Sequence, residues 1–260
     1  MAGGAECEWV YGVHAVMGLL KTDPGRVREI KLQRQRRDQR LEKVRALADR
    51  QGVAWQWAER AELDRLADGQ HQGVAAFCNP GELHDESFLH ALVEGREDVL
   101  LLVLDGVTDP HNLGACLRAA DAAGVAAVIA PRDRSASITA TVQKVASGAA
   151  ASVPYVVVTN LARTLRGLQE AGVWLVGTCG DAGPTLYDAD LRGRTALVMG
   201  AEDTGLRRLT RECCDLLVKL PMAGSVESLN VAVATGICLF EAVRQRRVAL
   251  DDAGQGGGSQ

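Results

Sequence analysis

Three loops of this 260-residue chain gather residue types that hold an anion or a reacting group. The first, DGVTDPHNLGACLRAA from Asp105 to Ala120, sets Asn112, Gly114 and Arg118 at the spacing N-x-G-x-x-x-R. Pro110 stops the apolar run before it, Asn112 can cap a new helix, and Gly114 lets another chain or a ligand approach closely. Arg118 falls one turn after Gly114 on the same face, within reach of the loop mouth. A cation near a helix start opposes the macrodipole, which points to an anionic partner such as a phosphate. A surface ion pair with Asp121 satisfies the same spacing. The second loop, MGAEDTGLRR from Met199 to Arg208, brackets Glu202 between Gly200 and Gly205. Alone, that pattern also describes an ordinary strand-to-helix turn with an acid in the first helical turn. The third, Leu220 to Gly236, turns at Pro221 and Gly224 and opens the last helix with Ser228 and Asn230. Ser228 reads as its N-cap, and the small residues Ala232, Ala234 and Gly236 let that helix pack tightly or abut a ligand.

The elements that must position these loops follow from the hydrophobic pattern. From Asp98 onward, apolar runs end at Leu104, Ala130, Val158, Thr178, Gly200 and Leu220, with helical segments between them. Such runs are strands buried on both faces, so the region reads as an α/β domain with a mostly parallel sheet, over 98–248. In open sheets of this kind ligands bind beyond the C-terminal strand ends, where all three loops fall. Residues 8–78 read as a smaller α/β domain: helices at Tyr11–Lys21, Asp38–Gln51 and Ala61–Asp68, strands at Val27–Leu32, Val53–Trp57 and Gly73–Cys78. Residues 79–97 are a polar linker, the closing helix runs from about Ser228 to Arg247, and 249–260 is expected to be a disordered tail.

Composition narrows the class. Apolar residues make up 47% and charged residues 24%, as in ordinary globular chains. No stretch reaches the roughly 18 apolar residues of a membrane span, and the acidic N-terminus lacks the basic start of an export signal. Seven scattered cysteines without C-x-x-C spacing suit free thiols in the cytoplasm, and five dispersed histidines offer no metal site. The net charge of −4 hides a local excess: between Arg26 and Arg50 stand ten Lys or Arg against four acids. A block of this kind attracts phosphates, and Arg34, Arg36, Arg37 and Arg40 are its candidate phosphate contacts. A solvated helix face with i,i+4 pairs is the competing reading. No G-x-G-x-x-G follows a strand, which excludes a dinucleotide oxidoreductase.

Taken in order, N-x-G-x-x-x-R (Asn112, Gly114, Arg118), G-x-E-x-x-G (Gly200, Glu202, Gly205) and P-M-x-G-x-x-x-S-L-N-V (Pro221 to Val231) resemble the three motifs of the SpoU class of SPOUT RNA ribose 2′-O-methyltransferases. The resemblance spans about residues 98–247. The N-terminal region, from Val10-Tyr11-Gly12-Val13-His14, is similar to the substrate-binding domain of a subgroup that modifies a guanosine of bacterial 23S rRNA. Glu227 departs from the pattern, standing where a small polar residue is expected before Ser-Leu-Asn.

The resemblance implies a cytoplasmic homodimer whose C-terminal domain is tied in a deep trefoil knot. It implies S-adenosylmethionine as cofactor, with its adenine met by backbone groups at Gly200, Leu220 and Leu229. The catalytic set it implies is Asn112, Arg118, Glu202, Ser228 and Asn230, acting on the ribose of 23S rRNA or a pre-ribosomal particle, with no metal and no membrane. In the family the residue matching Arg118 is held to help deprotonate the hydroxyl. A guanidinium, with a pKa above about 12, is a poor base. We therefore expect Arg118 to grip a phosphate and stabilise the developing alkoxide while phosphate or water takes the proton. A tRNA ribose methyltransferase and a catalytically silent RNA-binding or ribosome-assembly protein are the alternatives.

Overall fold

Alternating apolar runs and amphipathic segments build two compact units, described by a computed structural model over residues 7–34, 38–66, 71–79 and 84–255. One unit holds residues up to 82 together with 147–152, and the other holds 83–146 and 153–260.

The first unit runs β1 (Glu8–Tyr11), α1 (Val13–Thr22), β2 (Val27–Gln33), α2 (Gln39–Gln51), β3 (Trp55–Ala58), α3 (Arg60–Leu66) and β4 (Val74–Cys78). Its sheet has the order β1-β4-β2-β3, with β2 and β3 parallel and the other pairs antiparallel. The four-residue β1 was not expected; too short to show a period, it pairs with β4 at the sheet edge. Helix α2 forms because Leu41, Val44, Leu47 and Ala48 fall on one buried face. Asp38 caps its start by accepting from the Arg40 amide, and Gly52 ends it in the left-handed region at φ 68°.

The second unit runs α4 (Glu86–Val93), β5 (Val99–Asp105), α5 (Pro110–Ala123), β6 (Ala127–Pro131) and α6 (Ala140–Ala146). After the short α7 (Ala149–Ser152), which groups with the first unit, come β7 (Tyr155–Val158), α8 (Leu161–Glu170), β8 (Trp174–Thr178), β9 (Arg194–Gly200), α9 (Arg208–Cys213), β10 (Leu216–Val218) and α10 (Val231–Gln255). Its six strands lie in the order β10-β8-β9-β5-β6-β7, and every neighbouring pair is parallel. This is the α/β, parallel-sheet class expected from the doubly buried runs. Every residue of β5, the strand between β9 and β6, is buried.

Helix α10 corrects the expectation of a disordered tail from 249, since it continues to Gln255. Ala249, Leu250, Asp251, Asp252 and Ala253 contain no strong breaker, so the helix carries on past the expected boundary. Residues 256–260 lie outside the described part.

Arg246 fastens α10 to the N-terminal edge of the sheet. Its guanidinium donates to the carbonyls of Leu191 (3.1 Å), Gly193 (2.7 Å) and Val99 (3.3 Å), and pairs with Asp98. We predict that Arg246→Met, which withdraws the guanidinium from three carbonyls and from Asp98, lowers stability by about 2–4 kcal/mol in a urea titration. A loss below about 1 kcal/mol would mean that water replaces the guanidinium freely.

Candidate active site

The loop after β5 begins α5 with Asp109, whose carboxylate accepts from the amides of His111 (3.1 Å) and Asn112 (3.3 Å). Pro110 occupies the first helical position, where a missing N–H costs nothing. Asp109, not Asn112, is therefore the cap. This frees the Asn112 side chain, whose Oδ1 accepts from Asn230 Nδ2 at 2.9 Å. Gly114 admits a helix rather than a ligand: a Cβ there would lie 2.7 Å from Val145 Cβ and 3.0 Å from the Val142 carbonyl oxygen of α6.

The loop after β9 folds back on itself through paired backbone bonds between Ala201 and Gly205 (3.1 and 2.9 Å). A Cβ on Gly200 would sit 2.2 Å from the Gly205 carbonyl carbon, so only glycine fits. The loop is anchored by a residue not foreseen as functional. Asp105, fully buried at the end of β5, accepts from the Arg207 amide at 3.0 Å and from its guanidinium. In sequence Asp105 is merely the first residue after an apolar run, and its partner lies 102 positions away.

The third loop reaches α10 through Asn230. Its Oδ1 accepts from the amides of Ala232 (3.0 Å) and Val233 (3.3 Å), so Asn230 caps the helix and Ser228 does not. Its Nδ2 donates to both Asn112 and Glu202, and Glu202 Oε1 also accepts from the Val231 amide at 3.0 Å. Asn112, Glu202 and Asn230, from three separate loops, thus form one hydrogen-bonded unit.

Beside it opens a cleft of about 260 Å³, lined by Gly200, Glu202, Leu220, Glu227, Ser228 and Leu229, with Met199, Met222, Val231 and Ala234 as apolar wall. Backbone amides and carbonyls beside apolar side chains suit a flat heteroaromatic ring, and two carboxylates suit a cation. The cleft therefore fits S-adenosylmethionine in both respects. Glu202 and Val231 also line an adjoining pocket of about 190 Å³ with Thr108, Asp109, Asn112 and Asp203. Cys179 at the cleft donates to Asp181 at 2.7 Å. Burial and that bond hold its thiol above the ordinary value, so it stays protonated at neutral pH.

Arg118 is not brought to either pocket wall; it lies exposed on α5 and makes no hydrogen bond or ion pair among the described residues, Asp121 included. In the first unit, Arg34 stands 3.9 Å from Glu59 and Arg40 pairs with Asp38 at 2.9 Å. Arg36 and Arg37 lie outside the described residues. We predict that Glu202→Ala, which unties α10 from the loop, weakens S-adenosylmethionine binding by about tenfold in calorimetry, the loss of roughly one charge-assisted hydrogen bond. Unchanged affinity would show that the cleft does not depend on this unit.

Comparison with known proteins gives two family matches: the SpoU rRNA Methylase family over residues 99–240, and the RNA 2′-O ribose methyltransferase substrate binding family over residues 9–83. The chain is 58% identical over 245 residues to a 23S rRNA (guanosine-2′-O-)-methyltransferase, RlmB, of Pseudomonas putida, covering 94% of this chain and 99% of that one. It is 58% identical to the Escherichia coli protein of the same name, covering 92% and 99%. Among solved structures, the SpoU methyltransferase AviRb of Streptomyces viridochromogenes in complex with AdoMet superposes with a TM-score of 0.74 at 27% identity, over 93% and 90% of the two chains. A TrmH/SpoU tRNA modifying enzyme of A. aeolicus covers 63% of this chain and 83% of its own, with a TM-score of 0.55 at 30% identity.

Proposed function

The chain belongs to the SpoU rRNA methylase family, and we propose that it methylates the ribose 2′-hydroxyl of a guanosine in 23S rRNA, with S-adenosylmethionine as methyl donor. The observation that carries this reading is the Asn112–Asn230–Glu202 unit beside a cleft suited to the donor. The choice of 23S rRNA over tRNA is supported by relatives of that name matching nearly end to end, whereas the tRNA modifying enzyme covers 63% of the chain.

S-adenosylmethionine supplies, when bound, a methyl group activated by a sulfonium. Gly200, Leu220 and Leu229 hold the adenine through backbone groups. Asn112, Glu202 and Asn230 fix the loops against one another, and with Ser228 they orient the target ribose toward the methyl. Arg118 grips the phosphate next to that ribose and stabilises the negative charge that grows on the 2′-oxygen, while phosphate or water accepts the proton. Having no side-chain partner among the described residues, it is available for that phosphate.

The first unit supplies RNA affinity, with Arg34, Arg36, Arg37 and Arg40 meeting phosphates; its match to a substrate-binding family supports this. Arg40 would exchange Asp38 for a phosphate on binding. The working form is a homodimer. Val233, Ile237 and Phe240, spaced along one side of α10, are 53%, 36% and 51% exposed, and a second copy would cover them. The reading also includes a trefoil knot in the second unit and action in the cytoplasm on 23S rRNA or an assembling particle. Support for the knot is the placement of β8 and β10 outside β9, with α10 packed back against α5 and β9.

Mapping 2′-O-methylation across rRNA and tRNA in cells lacking the protein tests the substrate: one 23S guanosine loses its mark. A lost tRNA mark with intact rRNA would overturn the reading. For the mechanism, Arg118→Ala slows single-turnover methylation by roughly 10²-fold, as loss of a charge-stabilising donor does. The wild-type rate-versus-pH profile carries no inflection from a titrating base; one near neutral pH would reassign the proton acceptor to a side chain.

A further inference from the structure

The mechanism leaves unused a charged loop at the same edge of the parallel sheet. Among the described residues, seven arginines of the second unit sit in ion pairs with acids of that unit. Arg132 and Arg134, in the loop between β6 and α6, do not. Both are exposed, and neither side chain makes a hydrogen bond or ion pair among the described residues. Yet the backbone that carries them is pinned. The Arg132 amide donates to the Val158 carbonyl and the Ala136 amide to the Val107 carbonyl, each at 2.8 Å. The Tyr155 hydroxyl donates to the Ala136 carbonyl at 2.9 Å, and burial holds that phenol protonated. Arg134 is also kept at φ 59°, a left-handed conformation disfavoured for residues with side chains, and Ser135 Oγ is buried without a partner among the described residues. A firmly held loop with two free guanidiniums is a preorganised anion contact.

Its position says which anion. Val107, to which the loop is bonded, lines the polar 190 Å³ pocket together with Asn112, and that pocket shares Glu202 and Val231 with the donor cleft. A nucleotide presented there trails phosphates on both sides. We propose that the 132–139 loop is a second RNA contact, in which Arg132 and Arg134 grip backbone phosphates flanking the target nucleotide. This rests on the reading of the chain as an rRNA ribose methyltransferase and adds, to the phosphate contacts proposed for the first unit, a contact beside the reaction centre. Phosphates carry no sequence information, so the loop contributes affinity and register rather than base choice.

The test uses the full chain and in vitro transcribed 23S rRNA. Arg132→Gln and Arg134→Gln, singly and together, are compared with Arg134→Gly, which removes the charge while relieving the left-handed backbone, and Arg134→Lys, which restores a cation. Each lost phosphate contact flattens the slope of log affinity against log salt by about 0.7–0.9, so the double variant loses roughly 1.5. Arg134→Gly behaves as Arg134→Gln does, Arg134→Lys regains most of the slope, and S-adenosylmethionine affinity by calorimetry is unchanged in all. A double variant with the wild-type slope overturns the proposal, as does a slope lost only where donor binding is lost too, since that marks misfolding. If the wild-type protein binds 23S rRNA with a steep slope but methylates none of it, the enzymatic reading falls while the loop contact stands.

Discussion

A carboxylate with no access to water must keep its partners, and Asp105 is in that position at the end of β5. Its oxygens accept from the Arg207 amide and guanidinium, which brings the chain seven residues beyond Gly200 back to the neighbouring strand's end. The segment between is left no freedom to spread. It closes as the Ala201–Gly205 hairpin, and Glu202 is held at its rim. Without that ion pair the acid that organises the site would ride on an open loop.

What Glu202 organises is economical. Asn230 spends its carbonyl oxygen on capping α10 and its amide on joining two other loops, so one side chain both starts a helix and fixes where the helix starts. Because β5 and β9 are adjacent and parallel, the loops that follow them emerge side by side. Parallel pairing thus does the coarse assembly, and three polar side chains complete it.

The sheet was largely legible in the sequence because strands buried on both faces leave nearly unbroken apolar runs, and each predicted run from Leu104 to Leu220 has its strand. Short elements were not: β1, at four residues, carries too little pattern to separate from the helix that follows Gly12. Helix starts were misassigned for a common reason. Asp109 and Asn112, or Ser228 and Asn230, are all good caps, and local preference cannot choose between two candidates two or three residues apart. Tertiary demand chose: Asn112 and Asn230 face each other across the site. The motif residues on the second and third loops were recognisable by type and order. Asp105 was not, since its worth comes from a partner more than a hundred residues away. Arg118 is the converse, visible in the motif yet outside both pocket walls.

The close passage of Gly205 beneath Gly200 has a consequence for how the cleft can change over evolution or by design. Where the floor is bare main chain held against main chain, there is no side chain to enlarge, shrink or recharge. Variation in what the cleft accepts falls instead to the side chains around that point: Met222, Glu227 and Ser228 are exposed and replaceable, and Glu227 is where this chain already departs from the motif. A bulkier or differently charged methyl donor would be admitted by recarving those side chains, with the floor left as an invariant template.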